Sequence, residues 1–297
     1  MGKLIRCITS EGAVMVSAVD STDIVAKAEQ IHKTSAVVTA ALGRMLTAVS
    51  MMGNMLKGKD NSISVKIDGG GPTGAITVSS DSDGNVRGYA VNSVVEIPLK
   101  PNGKLDVSAA VGRDGNLFVV KDLGMKEAYN GFVPIVSGEI AEDITEYFAT
   151  SEQTPTVCAL GVRVDNDNMC FAAGGYIIQL MPGFDDADVD RLETNVNMAG
   201  SISKLIADGM DGDDIVAMLF EGIEYEMFDE FDIDYLCTCN RDKYLRALVG
   251  LGEDDMNELR SSNEPVETNC RFCGKKYTFE LEEIDEARKL AKENTEE

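Results

Sequence analysis

The chain has 297 residues, enough for one large domain or two to three smaller ones, each able to bury a core. Acidic residues outnumber basic ones by 51 to 27, and a net charge of −24 opposes approach to phosphate backbones and anionic lipid surfaces, so neither nucleic acid nor membrane is expected as a partner. A hydrophobic content of 44% excludes wholesale disorder, and a single histidine, His32, with no tryptophan leaves nothing to build a multi-histidine metal centre or a two-histidine acid–base pair.

Alternation on either side of Glu11-Gly12 reads as a β-hairpin, and that break argues against a secretory signal in the apolar run 13–19. From Ile24 apolar residues recur at Ala28, Ile31, Val38, Leu42, Met45, Val49, Met52 and Leu56, which predicts one long helix with a gap at Ser35. Val25, Val37 and Ala41 are apolar too, so burial against a sheet is expected rather than an exposed seam. Arg44 and several hydroxyls in the window 35–53 argue against a membrane span and point to a soluble, cytoplasmic protein.

The period then changes to two. Residues 62–67, 75–79, 86–91, 117–121, 157–164 and 175–180 read as strands, with turn chemistry at Asp83-Gly84, Asp114-Gly115 and Asp165-Asn166. The reading is α+β: an N-terminal β-sheet domain packed with helices over 1–183, an acidic helical linker over 184–236 and a small C-terminal zinc-binding domain over 237–297. The linker holds 16 acidic residues and 2 basic ones. It opens with four aspartates from Asp185 to Asp190, then Val189, Leu192, Val196 and Ala199 on one helix face, and a short helix near 202–206. Eleven acids between Asp208 and Asp234 surround Phe220, Ile223, Tyr225, Met227, Phe228 and Phe231, apolar side chains that would be exposed if this segment came loose. Two readings stand here: a solvated connector with one packed face, or a marginally stable segment whose folding depends on its neighbours.

Seven cysteines are an odd number for a secreted disulfide framework, and four of them fall in two tight pairs, Cys237-Thr238-Cys239 and Cys270-Arg271-Phe272-Cys273, 30 residues apart. Four thiolates suit the softness and tetrahedral preference of Zn²⁺, whereas no iron–sulfur spacing is present. Cys7, Cys158 and Cys170 lie in predicted strands and read as inert core thiols. A metal joining the pairs would be the cross-link of a small domain, contributing on the order of 10 to 16 kcal/mol of folding free energy. Thiols oxidised within each pair would close only tiny loops, which constrain the unfolded chain little, so oxidation would melt the domain and release the apolar residues before it.

The chain resembles the heat shock protein 33 family, the 33 kDa chaperonins, redox-regulated chaperones of bacteria. The cysteine pairs carry the resemblance together with Leu42-Gly43-Arg44-Met45-Leu46-Thr47, Ile67-Asp68-Gly69-Gly70-Gly71-Pro72, Val86-Arg87-Gly88-Tyr89, Val133-Pro134-Ile135-Val136-Ser137-Gly138-Glu139-Ile140-Ala141-Glu142-Asp143, Ser151-Glu152-Gln153, Ala173-Gly174-Gly175-Tyr176 and Gln179-Leu180-Met181-Pro182. Ser93 and Ala128 stand where similar sequences commonly have proline. The resemblance implies an ATP-independent holdase and not an enzyme. It implies one zinc per chain on Cys237, Cys239, Cys270 and Cys273 in an inactive reduced form. Oxidation is then expected to form the disulfides Cys237–Cys239 and Cys270–Cys273, with zinc release, linker unfolding, homodimerisation and binding of unfolding client proteins.

Rival readings are weaker on their chemistry. Gly53 to Lys59 mimics a phosphate-binding G-x₄-G-K but lacks the Ser/Thr for Mg²⁺ and sits at a helix end; Gly69-Gly70-Gly71-Pro72 reads as a turn, and His32 as a residue at a core edge or in solvent. A thiol–disulfide oxidoreductase would need a strand–CxxC–helix context and would turn over with zinc bound. A zinc-ribbon nucleic-acid binder would have to overcome the acidic charge of the C-terminal segment.

Overall fold

Alternation around Glu11-Gly12 produces the expected hairpin, β1 (Gly2–Thr9) and β2 (Val14–Asp20), paired antiparallel from Lys3 opposite Asp20 to Ile8 opposite Met15. The computed structural model describes residues 1–184, 186–262 and 264–293, and divides into two units, Met1–Leu236 and Cys237–Glu297. In the first unit two helices follow the hairpin, α1 (Thr22–His32) and α2 (Ala36–Asn54), in place of the single long helix predicted from the spacing. Lys33 takes the left-handed conformation (φ +52°) and Ser35 is extended, so the helix ends and restarts at the gap in the apolar series.

The period-two segments become β3 (Ser62–Gly70), β4 (Ile76–Asp81) and β5 (Val86–Ala90). After the short α3 (Val107–Val111) come β6 (Gly112–Asp122), β7 (Tyr129–Pro134), α4 (Ala141–Tyr147), β8 (Thr156–Val164) and β9 (Cys170–Leu180). Asp114-Gly115, expected to be a turn, lies inside β6 beside an irregular stretch of the β3–β6 ladder. There the backbones approach so closely that a Cβ on Gly69 would stand 2.3 Å from the Gly112 carbonyl oxygen, a packing reason for the glycine run beyond its turn.

One sheet has the order β5-β4-β3-β6-β7, and the other β10-β1-β2-β9-β8, where β10 is Tyr225–Ile233. Helix α2 lies between them, against β3, β4 and β5 on one side and β2, β8 and β9 on the other. Two covered flanks explain why it is apolar nearly all round: every residue but Ala36 and Arg44 is buried. This helix is long and apolar enough to cross a membrane by length and composition, but its surface is taken up by the two sheets.

The acidic segment begins as helices α5 (Asp186–Ala199), α6 (Ile202–Ala207) and α7 (Gly212–Leu219); Asp185, first of its four opening aspartates, lies outside the described residues. Asp211 caps α7 by accepting from the Asp214 amide at 3.0 Å, while Asp214 accepts from the Asp211 amide at 3.2 Å. Its last third corrects the helical expectation. Residues 225–233 form β10, antiparallel to β1 with Lys3 opposite Asp232 and Thr9 opposite Tyr225.

Side chains alternate across the sheet, so β1, β2 and β9 build two cores. Leu4, Val19 and Ile177 face α1 and α2, whereas Ile5, Val14, Val16, Tyr176 and Ile178 face Leu192, Ile206, Ile215, Leu219 and Phe220 of the acidic segment. Near the end of this unit lies Tyr235, whose buried hydroxyl donates to the Gly88 carbonyl (2.8 Å), accepts from the Gly88 amide (3.3 Å) and meets Nε2 of His32 at 3.0 Å. His32 therefore sits at a core edge with a partner.

The second unit comprises α8 (Arg241–Val249), α9 (Glu253–Ser262), the hairpin β11 (Val266–Asn269) and β12 (Lys276–Phe279), and α10 (Leu281–Glu293). Its buried cluster is small: Leu248, Met256, Tyr277, Phe279 and Ile284. Arg288 of α10 ties the turn after α8, donating to the carbonyls of Val249 (3.0 Å) and Leu251 (2.7 Å).

Replacing Tyr235→Phe leaves the Gly88 groups and His32 without their partner and should destabilise the end of β10 by about 1–3 kcal/mol. Hydrogen exchange should quicken at 225–236 while α2 keeps its protection; unchanged exchange at 225–236 would show that the hydroxyl does not hold this end.

Candidate metal centre

Each cysteine pair is placed by a local stop signal. Cys237 and Cys239 precede α8, whose start is fixed by Asn240, its side-chain oxygen accepting from the Lys243 amide at 2.9 Å. Cys270 and Cys273 lie on the tip of the β11–β12 hairpin, where the Gly274 amide donates to the Cys270 carbonyl (2.8 Å) and the Cys270 amide to the Lys275 carbonyl (2.9 Å). Gly274 closes this turn at φ +71°, a conformation that glycine adopts without strain.

All four sulfurs lie within 4.8 Å of one another, with Cys237 to Cys270 at 3.6 Å and Cys239 to Cys273 at 3.4 Å. A tetrahedral zinc–thiolate site, with bonds of about 2.3 Å, needs sulfurs about 3.8 Å apart, whereas a disulfide needs about 2.05 Å. The group fits a metal ion, and all seven cysteines of the chain, these four included, are free thiols. Cys270 is buried and the other three are half-buried, so the group is shielded without being sealed.

Charge sharpens the fit. Burial opposes ionisation of Cys270, yet the Tyr244 hydroxyl, the amides of Cys273 and Phe272 and the Cys237 thiol donate to it and bring it down to about 7. Burial pushes Cys237 up, and it pushes Cys273 up to about 12. Cys270 is thus poised as a thiolate while Cys237 and Cys273 resist becoming anions beside it, an arrangement that a bound cation would resolve. Sequence reasoning missed the aromatic pair beside the sulfurs. Tyr277 places its hydroxyl 3.2 Å from Cys239 and stacks on Tyr244 with centroids 5.1 Å apart, and its place four residues after Cys273 was the available signal.

The remaining thiols are elsewhere, in β1, β8 and β9. Burial pushes Cys7 up to about 11, Cys170 up to about 12 and Cys158 upward as well, which makes them poor nucleophiles. Because Cys270 and Cys273 sit on a hairpin tip and not at a strand-to-helix junction, the oxidoreductase context is missing. The six side chains singled out in the acidic segment divide by environment. Phe220 and Ile223 are buried, Tyr225 stacks on Phe220 at 4.9 Å, and Phe231 packs against the core around α2, while Met227 and Phe228 are exposed. Phe228 is the extra residue of a bulge between the pairings Arg6–Asp229 and Cys7–Met227, and the Arg6 guanidinium lies 4.8 Å from its ring centre.

Comparison with known proteins gives one consistent outcome. The family model described as Hsp33 protein matches residues 2–280. The chain is 42% identical to a 33 kDa chaperonin of Clostridium tetani over 288 residues, covering 97% of this chain and 98% of that one. It is 43% identical to a 33 kDa chaperonin of Clostridioides difficile over 286 residues, covering 96% and 98%. The crystal structure of the 33 kDa chaperonin (heat shock protein 33 homolog) of Thermotoga maritima superposes with a TM-score of 0.88 at 34% identity, covering 98% of this chain and 99% of that one.

A thiol-reactive dye should distinguish the four clustered sulfurs from the rest. Metal-loaded protein should react slowly throughout, and a chelator should release four fast thiols while Cys7, Cys158 and Cys170 stay slow; fewer than four released thiols would mean that the cluster does not act as one site.

Proposed function

The chain belongs to the Hsp33 family, and we propose that it is a redox-regulated, ATP-independent holdase chaperone, inactive with zinc bound when reduced and activated by oxidation. Residues 1–183 form its permanent core, 184–236 a conditionally folded linker and 237–297 the redox switch. Zinc on Cys237, Cys239, Cys270 and Cys273 supplies a cross-link between the start of the last unit and its hairpin. The observation that carries this reading is the position of the four clustered thiols, directly after a segment that covers an apolar sheet face.

With all four as thiols, sulfur contacts run between the pairs, Cys237 to Cys270 at 3.6 Å and Cys239 to Cys273 at 3.4 Å. Formation of Cys237–Cys239 and Cys270–Cys273 takes two electrons per disulfide, so two equivalents of peroxide are reduced to water. It also removes the thiolates that can hold a cation. Long-range ligation is thereby exchanged for two local bonds, and a unit with five buried apolar side chains in its cluster loses its clamp.

Linker release follows from chain continuity, since Tyr235 and Leu236, hydrogen-bonded to β5, directly precede Cys237. The linker's 16 acidic residues against 2 basic ones repel one another, and packing on the sheet opposes that repulsion. Once loose, it frees Phe220, Ile223, Tyr225, Met227, Phe228 and Phe231 together with Ile5, Val14, Val16, Tyr176 and Ile178 beneath. That is a contiguous apolar surface for unfolding client proteins and for a second copy of the chain, so the oxidised form is read as a cytoplasmic homodimer. No catalytic step, nucleic acid or membrane enters this reading.

Peroxide with mild heat should release one zinc per chain and suppress aggregation of an unfolding client without ATP; equal protection by the reduced, zinc-loaded form would refute the switch. Cys270→Ser leaves three ligands and should weaken zinc binding and loosen the linker under reducing conditions, whereas unchanged protease resistance at 218–236 would count against coupling.

A further inference from the structure

Two sequence motifs outside the redox switch converge on one cavity in the first unit. Arg44, from the middle of α2, and Glu139, from the loop before α4, form an ion pair of 2.7 Å at the wall of a cavity of about 1010 Å³. That volume is at the upper end of the range for small-molecule sites.

The lining inverts the charge of the protein. Arg44, Lys100, Lys104, Arg163 and Lys204 line it against the carboxylates of Glu139, Glu142 and Asp165, in a chain where acids outnumber bases by nearly two to one. Glu139 is held by both Arg44 and Lys100, and Lys204 pairs with Asp208 at 3.6 Å on the helix surface. Among the described residues, Lys104 and Arg163 have no carboxylate within ion-pair distance, so two positive charges at this wall are unneutralised by the fold. Ala40, Leu160 and Val162 supply an apolar floor.

The loop that carries Glu139 is built at a conformational cost. Ile140 is buried and β-branched, yet has φ +78°, a backbone that such residues rarely adopt. Asp143 enforces it: its buried carboxylate accepts from the amides of Val136 (2.8 Å), Ser137 (2.9 Å), Gly138 (3.3 Å) and Ile140 (2.9 Å). The strained loop fixes Glu139, and Glu139 fixes the Arg44 guanidinium and the Lys100 ammonium in the wall. The wall beside Lys104 and Arg163 is thereby fixed ahead of a ligand.

We propose that this cavity binds a small organic polyanion, an apolar body carrying two or more phosphate or carboxylate charges. Lys104 and Arg163 take the charges, and Leu160 and Val162 take the body. Ser201, Ser203 and Lys204 of α6 and its cap also line the cavity, so an occupant contacts both the core and the acidic segment and fastens α6 in place.

Calorimetry on the reduced, metal-loaded full chain tests this with three probes: adenosine diphosphate, inorganic tripolyphosphate and citrate. Binding of one equivalent of at least one of them is expected, weakening as salt is raised, with several-fold slower hydrogen exchange at 202–207. Adenosine diphosphate, which carries both an apolar base and phosphate charges, should bind at least as tightly as either other probe; tripolyphosphate or citrate binding without adenosine diphosphate would show that no apolar body is recognised and would overturn the proposal. The double variant Lys104→Glu with Arg163→Glu should lose about tenfold or more in affinity. Lys57→Glu with Lys59→Glu, an equal charge change outside the cavity lining, should bind as the parent does. No binding of any probe, equal loss in both double variants, or binding without added protection of α6 would overturn the proposal.

Discussion

A domain with five apolar side chains in its buried cluster has little hydrophobic free energy to set against the entropy of its chain, and the Cys237–Glu297 unit is in that position. Its ion pairs Arg241–Glu283 and Arg260–Asp285 are largely exposed and contribute little, while the buried Arg288, paired with the exposed Glu253, fastens only the turn after α8. What remains is the joining of two cysteine pairs across 30 residues of chain. On the reading proposed above, a cation held by these sulfurs would contribute more folding free energy than the cluster can, and its removal would remove the fold of this unit.

The first unit has the opposite character. Helix α2 is enclosed by two five-stranded sheets, and its core needs no metal. Yet the second face of the β10-β1-β2-β9-β8 sheet is covered by the most acidic part of the chain, where burial and self-repulsion oppose each other. Strand β10 shows the balance in detail. It lies at the sheet edge with acids directed outward, where Asp229 stands 3.8 Å from Arg6 and Glu230 pairs with Lys3. Such a strand is stable while its ends are held and is separable when one end is freed.

The apolar helix buried against a sheet, six of the strands and the clustering of four cysteines were legible in the sequence, because each rests on a short-range signal: apolar periodicity, turn residues or cysteine spacing. The failures have equally local causes. Lys33 ends a helix through a left-handed residue that no glycine announces. Asp114-Gly115 is a turn pair used within a strand beside a backbone crossing. Tyr225–Ile233 was read as helical because the bulge at Phe228 shifts its alternation by one residue, so neither period is continuous. Strand β7 was hidden by Gly131 and Pro134, tolerable because it lies at a sheet edge. The convergence of Arg44, Glu139 and α6 on one cavity is a long-range property that spacing along the chain does not encode.

The clamp is tested most directly by residue-resolved hydrogen exchange on two samples, one reduced and zinc-loaded, the other zinc-free with both disulfides formed. Loss of protection throughout 237–293 and at 225–236, with α2 unchanged, is the expected result. Retained protection of 237–293 in the oxidised, zinc-free sample would contradict the dependence of that fold on the metal.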